Sequence, residues 1–187
     1  MKNSRLILKN TLALTIAQVG GMVGNMVLVF YLARVSDAEG VGIYGTVMAV
    51  FTMAHFACAI GFESFIPREL PRDLSQTNRY LIHAGLIAPA TGLPLMAIIF
   101  LIVPHLGYLP QTIAGIYIIS LAFIPVALQV VLNAIFLSHQ KAEFITVTSL
   151  IGVIARILIS LLLLHLGSGI ISLFIVYTVI KWFVISL

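Results

Sequence analysis

Six long apolar stretches, separated by short polar segments, run through the chain, falling near 11–33, 41–62, 79–103, 112–137, 145–164 and 169–187. A helix needs about 20 predominantly apolar residues to cross a ~30 Å hydrocarbon core, and each stretch is close to that length. The apolar residues are continuous rather than alternating in polarity, so the pattern predicts helices and not the strands of a membrane barrel. The expected architecture is an all-α polytopic membrane protein, with about six transmembrane helices forming one lobe over residues 1–187. Composition agrees: 61% of residues are apolar and 9% charged, too few to give a soluble domain its polar skin. Lys2, Arg5 and Lys9 precede the first stretch as they would in a signal peptide. The run Thr11 to Ala33 is too long for a signal h-region, however, and no A-x-A site follows, so it is read as a retained span.

Charge then orients the chain. With the N-terminus inside, the cytoplasmic segments hold Lys2, Arg5, Lys9, Arg68, Arg72, Arg79 and Lys141, and the external loops hold Arg34 alone. This bias places the N-terminus in the cytoplasm and, with six spans, the C-terminus beside it. The isoelectric point of 9.5 is therefore a topology signal, and no nucleic-acid partner is expected.

The stretch FYLARVSDAEGVGIYG interrupts the apolar pattern with a tight charged knot. It reads as an external helix hairpin. Arg34 meets the negative end of the first helix, and Ser36 to Glu39 fits the S-x-x-E capping box at the start of the second. Gly20 and Gly24 form G-x-x-x-G, which allows close helix packing. Pro89 and Pro94 in the third span and Pro125 in the fourth each delete a backbone hydrogen bond. Helices interrupted in this way suit a transporter with a wet cavity, and also occur in membrane proteins that move nothing.

Two cations fall deep in apolar runs. Arg156 lies roughly eleven residues, or ~16 Å, into the fifth span, and Lys181 lies near the middle of the sixth. A charge at that depth costs at least ~2.5–3.5 kcal/mol, and no acidic residue falls at a matching depth. The pair points to an anionic partner in a hydrated cavity. For Lys181, beside Trp182, an interfacial anchor is the other reading. Thr11, Gln18 and Asn25 recur every seven residues, and Gln129 and Asn133 are an i, i+4 pair. Either set lines a water path or bonds between helices. Of the five histidines, His55 lies within a span and is the candidate for a proton-linked group. No metal spacing, nucleophile motif, phosphate loop or acid–base carboxylate pair is present, so neither a metal, a cofactor nor an enzyme is predicted. The single cysteine, Cys58, excludes an internal disulfide and reads as packing. The polar segment Glu63 to Asp73, with Arg79, either meets anionic headgroups or serves topology alone.

The N-terminal LILKNTLALTIAQVGGMVGNMVLVFYLARVSDAEGVGIYG and the second span ending GFESFIPRELPRD resemble the polysaccharide-exporter, or O-antigen flippase, branch of the MATE-like (MOP) flippase superfamily. Leu32-Ala33-Arg34 and Gly42-Ile43-Tyr44 carry the hairpin pattern, and residues 138–167 are similar to that family's loop and fifth span, with Arg156 in the matching place. The resemblance implies alternating-access flipping of undecaprenyl-pyrophosphate-linked oligosaccharides across the bacterial inner membrane, by two lobes of about six helices. It implies contacts with membrane lipids, cavity roles for Arg156 and Lys181, and a place for Arg34 at the external mouth. The chain supplies one lobe, read as the N-terminal half of a two-lobe transporter, so a second lobe is missing from it, with a homodimer of two copies as the alternative. A cation-coupled drug or metabolite antiporter of the same superfamily, and a non-transporting membrane scaffold subunit, are the rival readings.

Overall fold

In a computed structural model, residues 2–59 and 61–186 are described, apart from the side chains of 2–10, 13, 58 and 59. The packing expected of Cys58 lies outside the described residues. The elements described are helices: α1 Lys2–Val35, α2 Ala38–Ala59, α3 Phe62–Glu69, α4 Thr77–Ile102, α5 Pro110–Ser120, α6 Phe123–Ser138, α7 Ala142–His165 and α8 Ile171–Ser186. Among the described residues, five helical stretches are long and apolar enough to cross a membrane: Leu14–Val35, Ala38–Arg72, Leu74–Leu106, Pro110–Ser138 and Ala142–His165. The sixth predicted span corresponds to α8, apolar but shorter.

Three sequence expectations are refined. The polar segment after the second span carries a helix of its own. Past Gly61, whose φ of 92° turns the chain, α3 packs against α6 and buries Ile66 and Leu70. Ser138 Oγ donates to Ile66 O at 3.3 Å across that contact. The charges there largely balance: Arg72 pairs with Glu69 at 2.8 Å, and Asp73 accepts from Ser75 and Gln76 in the following turn. Those bonds, from the Ser75 hydroxyl first and then Gln76, hold the exposed Asp73 carboxyl below its ordinary pKa. Second, the capping register shifts by one, because α2 starts at Ala38 and puts Asp37 rather than Ser36 immediately before the helix. Third, the fourth span is two helices, α5 and α6, broken at Leu121 and Ala122. Pro125 has no N–H to give the Leu121 carbonyl, so the chain crosses the break on tighter bonds, Leu121 N to Ile118 O (3.2 Å) and Ala122 N to Ile119 O (3.0 Å). α4 runs through Pro89 and Pro94 as one helix.

The core gathers Leu28 and Leu32 of α1, Val47 and Phe51 of α2, Ile116 and Ile119 of α5, Phe123 of α6 and Phe174 of α8. α1 packs along α7 through its small residues. An ideal Cβ at Gly20 would lie 3.1 Å from Leu150 Cδ2, and one at Gly24 would overlap Ile157 Cδ1. The outward face of α1, with Ile16, Val19, Val23 and Phe30 exposed, suits hydrocarbon. Gly115 lies where α5 meets α2 and α8, and a Cβ there would stand 2.7 Å from Phe174 Cε2 and 3.0 Å from Val47 Cγ2. Gly115→Ala is expected to cost roughly 1–3 kcal/mol through overpacking, while Gly45→Ala, with nothing within 4 Å, stays neutral or gains slightly. Thermal unfolding in detergent checks both.

Candidate functional site: a cation-lined cavity

Five helices each turn one face toward a common cavity of about 590 Å³. The lining follows helical spacing. α1 contributes Gln18, Gly21 and Asn25, and α2 contributes Met48 and His55, seven residues apart. α7 contributes Thr148, Ser149, Gly152, Val153 and Arg156, α8 contributes Tyr177, Ile180, Lys181 and Val184, and α6 contributes Gln129. Gly21 adds no side chain to the cavity wall, and Gly152 lets α8 close on α7, since a Cβ there would lie 2.7 Å from Val184 Cγ2.

The centre of the site is one ring with two cations close to it. The Arg156 guanidinium carbon lies 5.2 Å from the Tyr177 centroid, and Lys181 Nζ lies 5.8 Å from it. Both are within cation–π range. Lys181 Nζ also donates to Gln129 Oε1 at 3.1 Å. The field of Arg156 reaches Tyr44 and Lys181, and that of Lys181 reaches His55. Tyr44 donates to Asn25 Oδ1 at 3.1 Å, tying α2 to α1. His55 stacks on Phe51, with centroids 6.3 Å apart. No carboxylate is among the lining residues, and among the described residues neither Arg156 nor Lys181 has an ion-pair partner. Glu63 acts on His55 only by its field.

Of the residues singled out in the sequence, Gln18, Asn25, His55, Gln129, Arg156 and Lys181 line this one cavity. Arg34 and Asn133 do not: Arg34 is exposed in the last turn of α1, and Asn133 is half-buried on α6. Thr11 is exposed. Sequence reasoning missed Tyr44, Tyr177, Thr148 and Ser149. A signal existed for two of them, since Tyr177 precedes Lys181 by one turn and Ser149 precedes Arg156 by two. A second, open hollow of about 350 Å³ holds Glu39, Thr46, Tyr108 and Thr112 near the α1–α2 hairpin. Among the described residues, no group of three or more His, Cys, Asp or Glu is placed to hold a metal ion.

This arrangement of helices is similar to a MOP superfamily transporter from Pyrococcus furiosus, with a TM-score of 0.79 at 13% sequence identity over 97% of this chain. The fold is that of a multi-pass helical lobe of this class. The chain spans less than half of that transporter, 43% of its length. By sequence, residues 7–186 match the family described as polysaccharide biosynthesis protein, and the chain belongs to that family. No curated protein matches it significantly.

If the cavity admits water, a thiol on its wall meets a charged reagent and one buried beside it does not. In a Cys58→Ser background, Ser149→Cys is expected to react with a charged methanethiosulfonate. Ser160→Cys, at a side chain only 1% exposed, is expected to stay unmodified. Mass spectrometry reads the difference.

Proposed function

We propose that this lobe carries the anionic head of a lipid-linked oligosaccharide, of the undecaprenyl-pyrophosphate type, across the bacterial inner membrane by alternating access. The observation that carries the reading is the pair Arg156 and Lys181 facing one tyrosine without a carboxylate in the lining. Two cations in a low-dielectric site favour a ligand with two or more negative charges, and a diphosphate ester supplies them. Gln18, Asn25, Thr148 and Ser149 add donors suited to phosphate or sugar oxygens. The family described as polysaccharide biosynthesis protein supports a saccharide cargo. For the Pyrococcus transporter, reverse polarity of the binding pocket suggests a different function. By the same logic, a cationic pocket here argues against a cation-coupled antiporter, which needs an acid to bind its ion.

In this reading the cavity faces the cytoplasmic side first, because it lies in the half of the bundle toward the start of α7 and the end of α8. The other wall of the pathway comes from a second lobe or a second copy of this chain. Transport needs only that the cargo bind the two conformations differently, with no bond made or broken.

The test is flipping of a fluorescent isoprenyl-pyrophosphate-linked sugar in proteoliposomes. Arg156→Gln/Lys181→Gln is expected to lower the rate at least about tenfold while inserting normally, since each charge-assisted contact is worth roughly 1.5–3 kcal/mol. A double variant that flips at the wild-type rate sinks the assignment, and a wild-type protein that assembles but flips nothing favours the scaffold.

A further inference from the structure

α8 grips the broken fourth span on both sides of its break. Thr178 Oγ1 donates to Ile118 O of α5 at 3.0 Å, and Lys181 Nζ donates to Gln129 Oε1 of α6 at 3.1 Å. Thr178 and Lys181 are three residues apart and share a helix face. Between their two attachment points lie Leu121 and Ala122, where the helix is interrupted. Among the described residues, these are the hydrogen bonds that join α8 to other helices.

The two halves of the span also keep different company. α5 packs on α2 and α8, whereas α6 packs mainly on α4 and α3 and also touches α2, α7 and α8. The break therefore joins two halves with different principal neighbours, and α8 lies against both. Thr178 holds α5. Lys181 holds α6, and does so with the same ammonium that lines the cavity.

We propose that Lys181 is a ligand-released latch: without an anion it holds α6 through Gln129, and an anion that captures the ammonium frees α6 to pivot at Leu121–Ala122. The reasoning is one of competition for a single charged donor. A neutral amide oxygen is a weaker acceptor than a doubly charged phosphate oxygen, so the ammonium turns from Gln129 toward the anion when one enters. Arg156, across the same Tyr177 ring, draws the anion in without touching the latch. Thr178 is not exposed to the exchange and keeps α5 in place, which confines the movement to α6. Ligand occupancy in this way acquires a differential contact with two conformations, the condition for coupling binding to movement. The latch rests on the anion reading of the cavity for its trigger, but not for its mechanics.

The experiment uses the full chain in lipid nanodiscs, in a Cys58→Ser background, with spin labels at the exposed positions Gln111 on α5 and Leu137 on α6. Inorganic pyrophosphate is the probe. The wild-type interlabel distance distribution is expected to shift on adding pyrophosphate. Gln129→Leu is expected to show the shifted distribution with no pyrophosphate present, and to bind the probe about tenfold more tightly because no latch must be broken. Gln129→Asn, which keeps a polar group but shortens the reach, is expected to do the same and covers the case of a poorly folded Leu variant. Unchanged ligand-free distributions in both variants overturn the latch, as does pyrophosphate binding to the wild type without a shift. If the wild type binds no pyrophosphate while both variants still shift, the latch stands and the anion reading of the cavity falls.

Discussion

Two like charges on neighbouring helices, set against one aromatic ring, are the constraint around which the lobe is arranged. Arg156 and Lys181 repel, and neither has a carboxylate within reach among the described residues. Each would cost several kcal/mol in hydrocarbon. What makes the pair tolerable is local. The Tyr177 face attracts both cations, with contacts worth roughly 0.5–2 kcal/mol each. Gln129 accepts from one of them, and the cavity of about 590 Å³ has room for water around both. The small lining residues Gly21 and Ser149 leave that volume open. Large side chains there would close the cavity and strand the charges.

The cavity itself follows from how α1 and α2 part. They leave a shared hairpin near Val35 and Ala38, but α1 then follows α7 while α2 follows α5 and α6. The small residues Gly20 and Gly24 commit α1 to α7, because they let Leu150, Val153 and Ile157 approach its backbone. The Tyr44–Asn25 hydrogen bond spans the wedge on the hairpin side. Beyond it the two helices diverge, and Gln18 and His55 face each other's direction across open volume.

Much of this was legible from residues out of keeping with their surroundings. Arg156, Lys181, Gln18 and Asn25 stand out because a charge or amide in an apolar run has no cheap explanation. Tyrosine and threonine do not stand out in the same way. Tyr177 and Thr178 read as ordinary residues of a membrane helix until α8 is placed against α5. Arg34 and Asn133 show the converse: polarity marks a residue as notable without saying which way its helix turns it. Pro125 announced an interruption in the fourth span, and the N–H it lacks is the one that the Leu121 carbonyl four residues earlier would accept, which puts the break at Leu121–Ala122. The polar segment after the second span concealed α3, because a single turn of burial, Ile66 and Leu70, is too short for periodicity to register. The start of α2 moves by one for a local reason, since Asp37, a residue type equally favoured before a helix, stands one position after Ser36.

Packing also joins the cation pair to the break. The rings of Tyr177 and Phe51 meet edge to face, with centroids 4.9 Å apart, and Phe51 meets Phe123 at 5.9 Å. Phe123 is fully buried and is the first residue of α6. Gly92 of α4 keeps that point crowded, since a Cβ on it would touch Phe123 Cβ at 3.7 Å. A close-packed interior does not deform continuously, so a rotation of α6 about its start must either carry Phe123 past Phe51 or leave a void beside it. The two ends of the ring series thus belong to different groups: Tyr177 lies against the two cations, and Phe123 opens the helix that follows the break. Any ligand that redistributes charge over Tyr177 acts on an aromatic stack whose far end is the pivot itself.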